Sequence, residues 1–389
     1  MKYCKLILIS SENNNKFYEM TEENGQIKVN YGRIDSTSVT ITKPLSQWDS
    51  IVREKQRKGY KNITDLVSIK EEIKPVIEEK TKEIEDVYVR EFVTLLENYT
   101  KGLINSTYSV TPKNVTQQQI DQAQKLINEL NNFKNFTEAQ TNSLLIQLYT
   151  TIPRKMKDVK QHLLPILNLE KTLQKEQDQL DAMESMIDKN VVVAKSKKVK
   201  QSNTILDKMG VRMTLSDVTP EIKYIVDQFT SYQKVHKIFK VEKESEDLKL
   251  NSWIKDKKNK NTKFLIHGTR VTSVLPILSD KLRIHPIGNF QYSGKAFGDA
   301  IYFALQASKS LGYTGYTNDK ILFVYEVHYG SPNIHSGWNR GTSFPLTFDE
   351  LQKRGYDCTH AEKGNGLIND EIMIYHEDQC APRYILWIK

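Results

Sequence analysis

The sequence predicts a multidomain α+β protein, because three stretches of different periodicity follow one another along 389 residues, more chain than one hydrophobic core usually serves. Residues 1 to about 70 alternate short apolar runs with turn clusters. Residues from about 70 to 230 are poor in glycine and carry apolar side chains at helical spacing, and beyond Lys260 the chain returns to strands and turns.

In the first stretch, Leu6 to Ile9, Lys16 to Met20 and Ile27 to Tyr31 read as strands of a small antiparallel sheet, with a turn at Glu23-Asn24-Gly25. From Pro44 the pattern becomes helical: Trp48, Ile51 and Val52 precede a basic run from Arg53 to Lys58 and a Gly59-Tyr60-Lys61 turn. In the middle stretch, Thr116-Gln-Gln-Gln119 is a capping box opening a helix with Ile120, Ala123, Ile127, Leu130 and Phe133 on one face. Thr137 to Gln140 repeats the device ahead of Leu144, Leu145 and Leu148, and Leu169, Leu173, Leu180, Met183 and Ile187 form another stripe. Pro220 stands at a first helical position. An α-helical bundle follows. In the last stretch, Ile321 to Val327, Glu371 to Tyr375 and Arg383 to Ile388 are β runs, and no GxGxxG joins a strand to a helix, which argues against a Rossmann site.

Hydrophobic content of 38% beside 27% charged residues describes a globular chain with a solvated surface. The net charge of +8 favours a polyanionic partner, with an ordinary basic enzyme as the alternative. Cys4, Cys358 and Cys380 are far apart in sequence, so neither a disulfide framework nor a metal site is expected, and a reducing compartment is. The opening apolar run is too short to span a membrane and lacks a cleavage site; secretion is not expected, and the Asn-x-Ser/Thr sequons, such as Asn62 and Asn98, are products of composition. The lysine-rich segments Lys195 to Lys200 and Lys255 to Lys260 read as solvated loops, the first with a nuclear address as the other reading.

Four segments of the C-terminal third carry the chemistry: Phe264-Leu-Ile-His267-Gly268-Thr269-Arg270, Phe297-Gly-Asp-Ala-Ile-Tyr302-Phe303, Ser308-Lys309-Ser310-Leu-Gly-Tyr313 and Ile368-Asn-Asp-Glu371-Ile-Met-Ile-Tyr375. Their order and spacing resemble the NAD-binding cleft of the poly(ADP-ribose) polymerase family of ADP-ribosyltransferases, in its His-Tyr-Glu version. The resemblance implies a split, mixed β-sheet and NAD+ as substrate, with no metal. Breaking the nicotinamide–ribose bond builds positive charge on the ribose, so a carboxylate beside that sugar is what the chemistry needs. By resemblance Glu371 is that carboxylate and, with His267 and Tyr302, completes the catalytic set. His267 would hold the adenosine ribose, and the backbone of Gly268 and the Ser310 hydroxyl the nicotinamide amide. Tyr313 and Tyr302 would close on either side of its ring. Lys309 would position Glu371, and Thr269 and Arg283 would lie near the adenosine half. Ala300 stands where relatives commonly carry glycine, and Gly355 to Gly366, on the acceptor side, is least like the family.

The N-terminal stretch resembles a WGR domain through Asn14 to Tyr18, Tyr31-Gly32-Arg33-Ile34, the helix after Pro44 and Lys58 to Lys61, with Tyr31 at the position of the signature tryptophan. The resemblance implies that Tyr31, Gly32 and Arg33 meet damaged DNA at nicks or ends. The other reading makes Tyr31 a core aromatic and Arg33 an interdomain salt-bridge partner. Thr116 to Leu130 and Leu148 to Pro153 resemble the regulatory helical domain of DNA-activated members.

The expected organisation is a WGR-like α/β module at 1–75, a helical regulatory bundle at 76–230 and the transferase fold at 231–389. The expected function is a DNA-break-activated transferase that modifies proteins, itself included, and extends to poly(ADP-ribose), nuclear in a eukaryote and otherwise cytoplasmic. An accessory protein at the acceptor site is compatible with it. The alternatives are a mono-ADP-ribosyltransferase and a catalytically weak DNA-end scaffold.

Overall fold

In the computed structural model, which describes residues 2–64, 82–187, 203–229, 234–284, 297–337 and 348–389, the N-terminal alternation becomes strands β1 (Tyr3–Ser10), β2 (Asn14–Glu23), β3 (Gln26–Arg33), β4 (Ser38–Pro44) and the two-residue β5 (Lys61–Asn62). They form one antiparallel sheet in the order β4-β3-β2-β1-β5. Asn24 and Gly25 both take positive φ, 51° and 75°, as a two-residue turn between β2 and β3 requires. Period two puts Leu6, Tyr18, Met20, Ile27 and Val29 on one face, where Trp48 and Ile51 of the helix Trp48–Arg57 cover them.

That sheet belongs to one compact unit, Met1–Glu79 with Lys101–Lys198. Its helical part includes Gln117–Leu130, Glu138–Thr151 and Leu169–Met186. Thr116 and Gln119, then Thr137 and Gln140, make the reciprocal capping hydrogen bonds expected of them. Ile120, Ala123, Ile127 and Leu130 are buried along one helix, whereas Phe133 falls in the separate turn Phe133–Asn135, because the helix ends at Asn131-Asn132, residues that compete poorly for helix interior. β1 packs on the helix Glu138–Thr151. The Lys195 to Lys200 segment lies outside the described residues.

The second unit is Lys80–Thr100 with Val199–Lys389. It holds a nine-stranded sheet from β6 (Arg212–Ser216), β7 (Val235–Glu242), β8 (Thr262–Thr269), β9 (Ile301–Ala304), β10 (Lys320–His328), β11 (Pro332–Ser336), β12 (Cys358–Glu362), β13 (Glu371–Ile374) and β14 (Cys380–Ile388). Their order is β11-β12-β13-β9-β8-β10-β14-β7-β6, antiparallel throughout except for the parallel pair β11–β12. This mixed sheet has none of the parallel doubly wound order of a dinucleotide fold.

β10 reads as an apolar run from Ile321 to Tyr325 because both faces of the sheet are covered there. On one face Leu322 and Val324 meet Ile222 and Ile225 from the helix Pro220–Val226. Opposite, Phe92, from the helix Val87–Thr107, stacks on Phe239 with ring centroids 4.7 Å apart and leans on Trp387 at 5.5 Å. Between β8 and β9 the described residues pair at Ile266↔Ala304 alone, so the sheet splays there. No described helix is long and apolar enough to cross a membrane.

In the first unit a buried ion pair joins Arg154 to Glu176. The guanidinium also donates to Gln179 at 3.1 Å and lies 4.1 Å above the Tyr108 ring. Glu176→Ala would strand this cation without its counter-charge, and the expected cost is about 3–5 kcal/mol. Urea titration would show it as a fall in the unfolding midpoint; an unchanged midpoint would mean that water already reaches Arg154.

Candidate active site

Glu371 opens β13, and its neighbours across the sheet are Ala304 of β9 and Ala361 of β12. One methyl side chain on each flank leaves room above the strand for a carboxylate, which is nonetheless only 7% exposed. A buried carboxylate needs a partner, and Lys309 supplies it with Nζ 2.5 Å from Oε1. Burial presses the Lys309 ammonium toward neutrality, but the hydrogen bond and charge of Glu371 outweigh it and hold the pKa above the ordinary lysine value. A raised lysine pKa means that the pair is intact below the ordinary lysine range and is lost only when pH rises through the folded value, so the ammonium persists at neutral pH.

Lys309 reaches this position because its helix, Ala307–Leu311, lies hard against β8. At Gly268 a Cβ atom would fall 1.8 Å from the Ser310 carbonyl oxygen, so only glycine permits the approach. The same contact brings the buried Ser310 hydroxyl within 3.2 Å of the Ile266 carbonyl, to which it donates. Beside Gly268, His267 directs Nδ1 to the Tyr302 carbonyl at 3.0 Å. A carbonyl only accepts, so Nδ1 carries the proton and Nε2 is the acceptor nitrogen of the neutral ring.

Tyr302, on β9, spends its hydroxyl on backbone: it accepts from Phe297 N at 2.9 Å and donates to Gly298 O at 2.8 Å. Burial raises its pKa far above the usual tyrosine range, so the ring is a fixed neutral wall. Phe297 is in turn gripped through its carbonyl by the Tyr375 hydroxyl at 3.0 Å, which lies 3.1 Å from the Thr359 hydroxyl. Burial pushes Tyr375 up to about 12 as well. Ala300 packs against the same cluster of Phe297, Met373 and Tyr375, so its methyl is accommodated.

Seven of the residues singled out in the sequence therefore stand together through direct contacts: His267, Gly268, Tyr302, Lys309, Ser310, Glu371 and Tyr313, whose ring centroid is 5.6 Å from the Lys309 ammonium. Thr269 continues β8, buried opposite Ile321. Arg283 follows the helix Val271–Ser279 and ion-pairs with Asp280 at 2.5 Å. The sequence assigned no role to Thr359 or Tyr375; the signal lay in parity, since Tyr375 is four residues from Glu371 and so projects from the same face.

Tyr31, Gly32 and Arg33 belong to the other unit. Tyr31 stacks on Tyr18 at 5.6 Å, and Lys55 of the basic helix sits 4.1 Å over the Tyr18 ring. Gly32 lies opposite Phe17 and Ser38. Arg33 donates to Asn13 O at 2.8 Å, to Asn13 Oδ1 at 2.9 Å and to the Lys157 carbonyl. Tyr31 therefore lies partly buried beside the core of this sheet, and Arg33 is tied by hydrogen bonds to Asn13 and Lys157 of its own unit, where the alternative reading places an interdomain salt bridge.

The four sequence segments thus meet around one carboxylate, Glu371, with its lysine partner and the Gly268–Ser310 contact beside it. Residues 216–389 match the poly(ADP-ribose) polymerase catalytic domain. The chain is 44% identical over 171 residues, covering 44% of this chain and 94% of the relative, to the putative poly [ADP-ribose] polymerase-like 100L of Invertebrate iridescent virus 6. It is 43% identical over 193 residues to the uncharacterized protein 101L of the same virus, covering 49% of this chain and 79% of that protein. Against the protein mono-ADP-ribosyltransferase PARP3 of Gallus gallus the identity is 30% over 163 residues, 32% of this chain and 28% of the relative. The protein is an NAD+ ADP-ribosyltransferase, and NAD+ is its substrate. The chain belongs to the poly(ADP-ribose) polymerase family.

Gly268→Ala tests the contact on which this cleft is built. The added methyl must push the Ser310 carbonyl away, at a cost of about 1–3 kcal/mol or more. Transferase activity should be lost together with a fall in Tm; a variant with full activity and unchanged Tm would show that the helix can retreat freely.

Proposed function

We propose that this chain is a DNA-break-activated protein ADP-ribosyltransferase that extends its product to poly(ADP-ribose). The catalytic part of the reading rests on the pair of half-buried Lys309 and buried Glu371, with Lys309 next in sequence to the Ser310 that meets Gly268. In it, Glu371 accepts a hydrogen bond from the ribose 2′-hydroxyl, stabilises the charge that grows on the sugar as nicotinamide leaves, and polarises the acceptor. Lys309 holds the carboxylate in place. His267 binds the adenosine ribose through Nε2, with Thr269 and Arg283 near the adenosine half. The Gly268 backbone and the Ser310 hydroxyl take the nicotinamide amide, the hydroxyl turning from Ile266 to do so. Tyr302 and Tyr313 close on the ring.

The regulatory part assigns the five-stranded sheet to a WGR module and the helices after it to a regulatory domain. Damaged DNA would meet the basic helix and Tyr31, Gly32 and Arg33, and the helices would restrain the transferase until it does. The net charge of +8 and the exposed cations of Trp48–Arg57 support that partner. Acceptors are proteins, this chain included, with an accessory protein at the acceptor side as a further partner. The working compartment is the nucleus in a eukaryotic host and the cytoplasm otherwise. A mono-ADP-ribosyltransferase is the second reading, favoured by the name of the Gallus gallus relative and by the divergent Gly355 to Gly366 segment.

Glu371→Gln keeps the shape and removes the charge, so transfer should fall on the order of a hundredfold while NAD+ affinity changes little. Wild-type turnover in this variant would remove Glu371 from the catalytic role. For regulation, NAD+ consumption should rise when nicked duplex is added, an effect that weakens steeply with salt. Equal rates with and without DNA would discard the activation model, and sequencing-gel analysis of the product separates a polymer ladder from single units.

A further inference from the structure

Thr359, Tyr375, Phe297, Tyr302 and Gly298 form one continuous hydrogen-bonded chain. The Thr359 and Tyr375 hydroxyls lie 3.1 Å apart, and because the Phe297 carbonyl, 3.0 Å from the Tyr375 hydroxyl, can only accept, it takes the single Tyr375 proton and Thr359 is left as the donor of the first bond. From the other end of that residue, the Phe297 N–H donates to the Tyr302 oxygen at 2.9 Å, and the Tyr302 hydroxyl donates to the Gly298 carbonyl at 2.8 Å. The Tyr375 and Tyr302 hydroxyls each act as donor and acceptor once, and the Phe297 backbone between them joins the two halves mechanically.

The chain crosses from β12, through the end of β13 and the segment entering β9, to the wall of the cleft. Thr359, Phe297 and Tyr375 are all buried, and around them Met373, Ala361 and Leu351 fill the space. Phe297 has no regular secondary structure to hold it. Its ring is anchored in that cluster, and its carbonyl and its N–H are each held by a tyrosine hydroxyl, so Tyr375 and Tyr302 orient the backbone at this point. Tyr302 also pairs with Met373 of β13 and packs against the same cluster, so the strand fixes where its ring starts and the two hydroxyl bonds fix where the ring's far end lies.

We infer that Tyr375 is a positioning residue for the nicotinamide end of the site, setting the Tyr302 ring through Phe297. This rests on the reading in which Tyr302 closes one side of the nicotinamide ring. Tyr375 touches no substrate in this account. It links the strand of the reacting carboxylate to the aromatic wall, so that wall and carboxylate keep one spacing.

The test measures the affinities of benzamide, a mimic of the nicotinamide half, and of ADP-ribose, which lacks that half, on the full chain. Tyr375→Phe keeps the ring in its apolar surroundings and removes the hydroxyl. Benzamide should bind about fivefold more weakly, the weight of one net hydrogen bond, with ADP-ribose affinity unchanged. Thr359→Val, which removes the outer donor, should shift benzamide in the same direction by less. Equal weakening of both probes would mean a general structural role and overturn the inference, as would unchanged benzamide affinity in Tyr375→Phe. Tyr302→Ala separates the two levels of the argument: it must weaken benzamide if Tyr302 lines the pocket, and its failure to do so would sink the pocket reading itself. Loss in Tyr302→Ala without loss in Tyr375→Phe would leave the pocket standing and reject the relay.

Discussion

The close approach of Gly268 to the Ser310 carbonyl is the constraint on which the cleft depends. With any larger residue at 268 the helix Ala307–Leu311 would stand off from β8. The Ser310 hydroxyl would lose Ile266, and the Lys309 ammonium, one residue away, would leave the Glu371 carboxylate. A backbone contact thus sets an electrostatic one. The buried carboxylate is tolerable only because the cation is delivered to it, and the cation is delivered only because a strand has no side chain at one point.

The sheet supplies the other half of the geometry. Register across β8, β9 and β13 aligns Ile266, Ala304 and Glu371, and the alanines beside Glu371 make a shallow seat in an otherwise tightly filled surface. Where β8 and β9 splay beyond that alignment, their backbone groups are released from each other, and the His267 ring finds the Tyr302 carbonyl. The opening between the strands is therefore bridged by a side chain, and the two halves of the sheet remain coupled at the place where they separate.

Much of this was legible in the sequence, for reasons that differ by element. Thr116-x-x-Gln119 and Thr137-x-x-Gln140 announced their helices because capping is local chemistry, and Asn24-Gly25 announced its turn because few residues accept positive φ twice in succession. The cleft residues were found by resemblance, four short segments in order, and the structure joins them through Lys309–Glu371 and Gly268–Ser310. Phe133 shares the spacing of the Ile120 to Leu130 stripe yet lies outside its helix, because spacing alone does not register the two asparagines that end it. Thr359 and Tyr375 went unremarked because a hydroxyl on an apolar strand looks like any other until its partner is known, and that partner, Phe297, is far away in sequence. Arg33 carried two readings for a similar reason: its acceptors include the Lys157 carbonyl, a group that no local pattern points to.

The N-terminal sheet has a second face, and what covers it bears on how separable the sheet is. Asn15, fully buried on β2, donates its amide to the Met156 carbonyl at 3.0 Å, while Asn13 Oδ1 accepts from Val159 N at 2.9 Å. Together with the Arg33–Lys157 contact, these bonds stitch the hairpin between β1 and β2 to the chain that leaves the helix Glu138–Thr151. A fragment ending soon after β5 would present Ile7 and Ile9 to water and leave the Asn15 amide with no designed acceptor. The heritable unit in this half of the protein is accordingly larger than the sheet: a recombination event that moved the strands without residues 153–159 would transfer a surface evolved to be an interior.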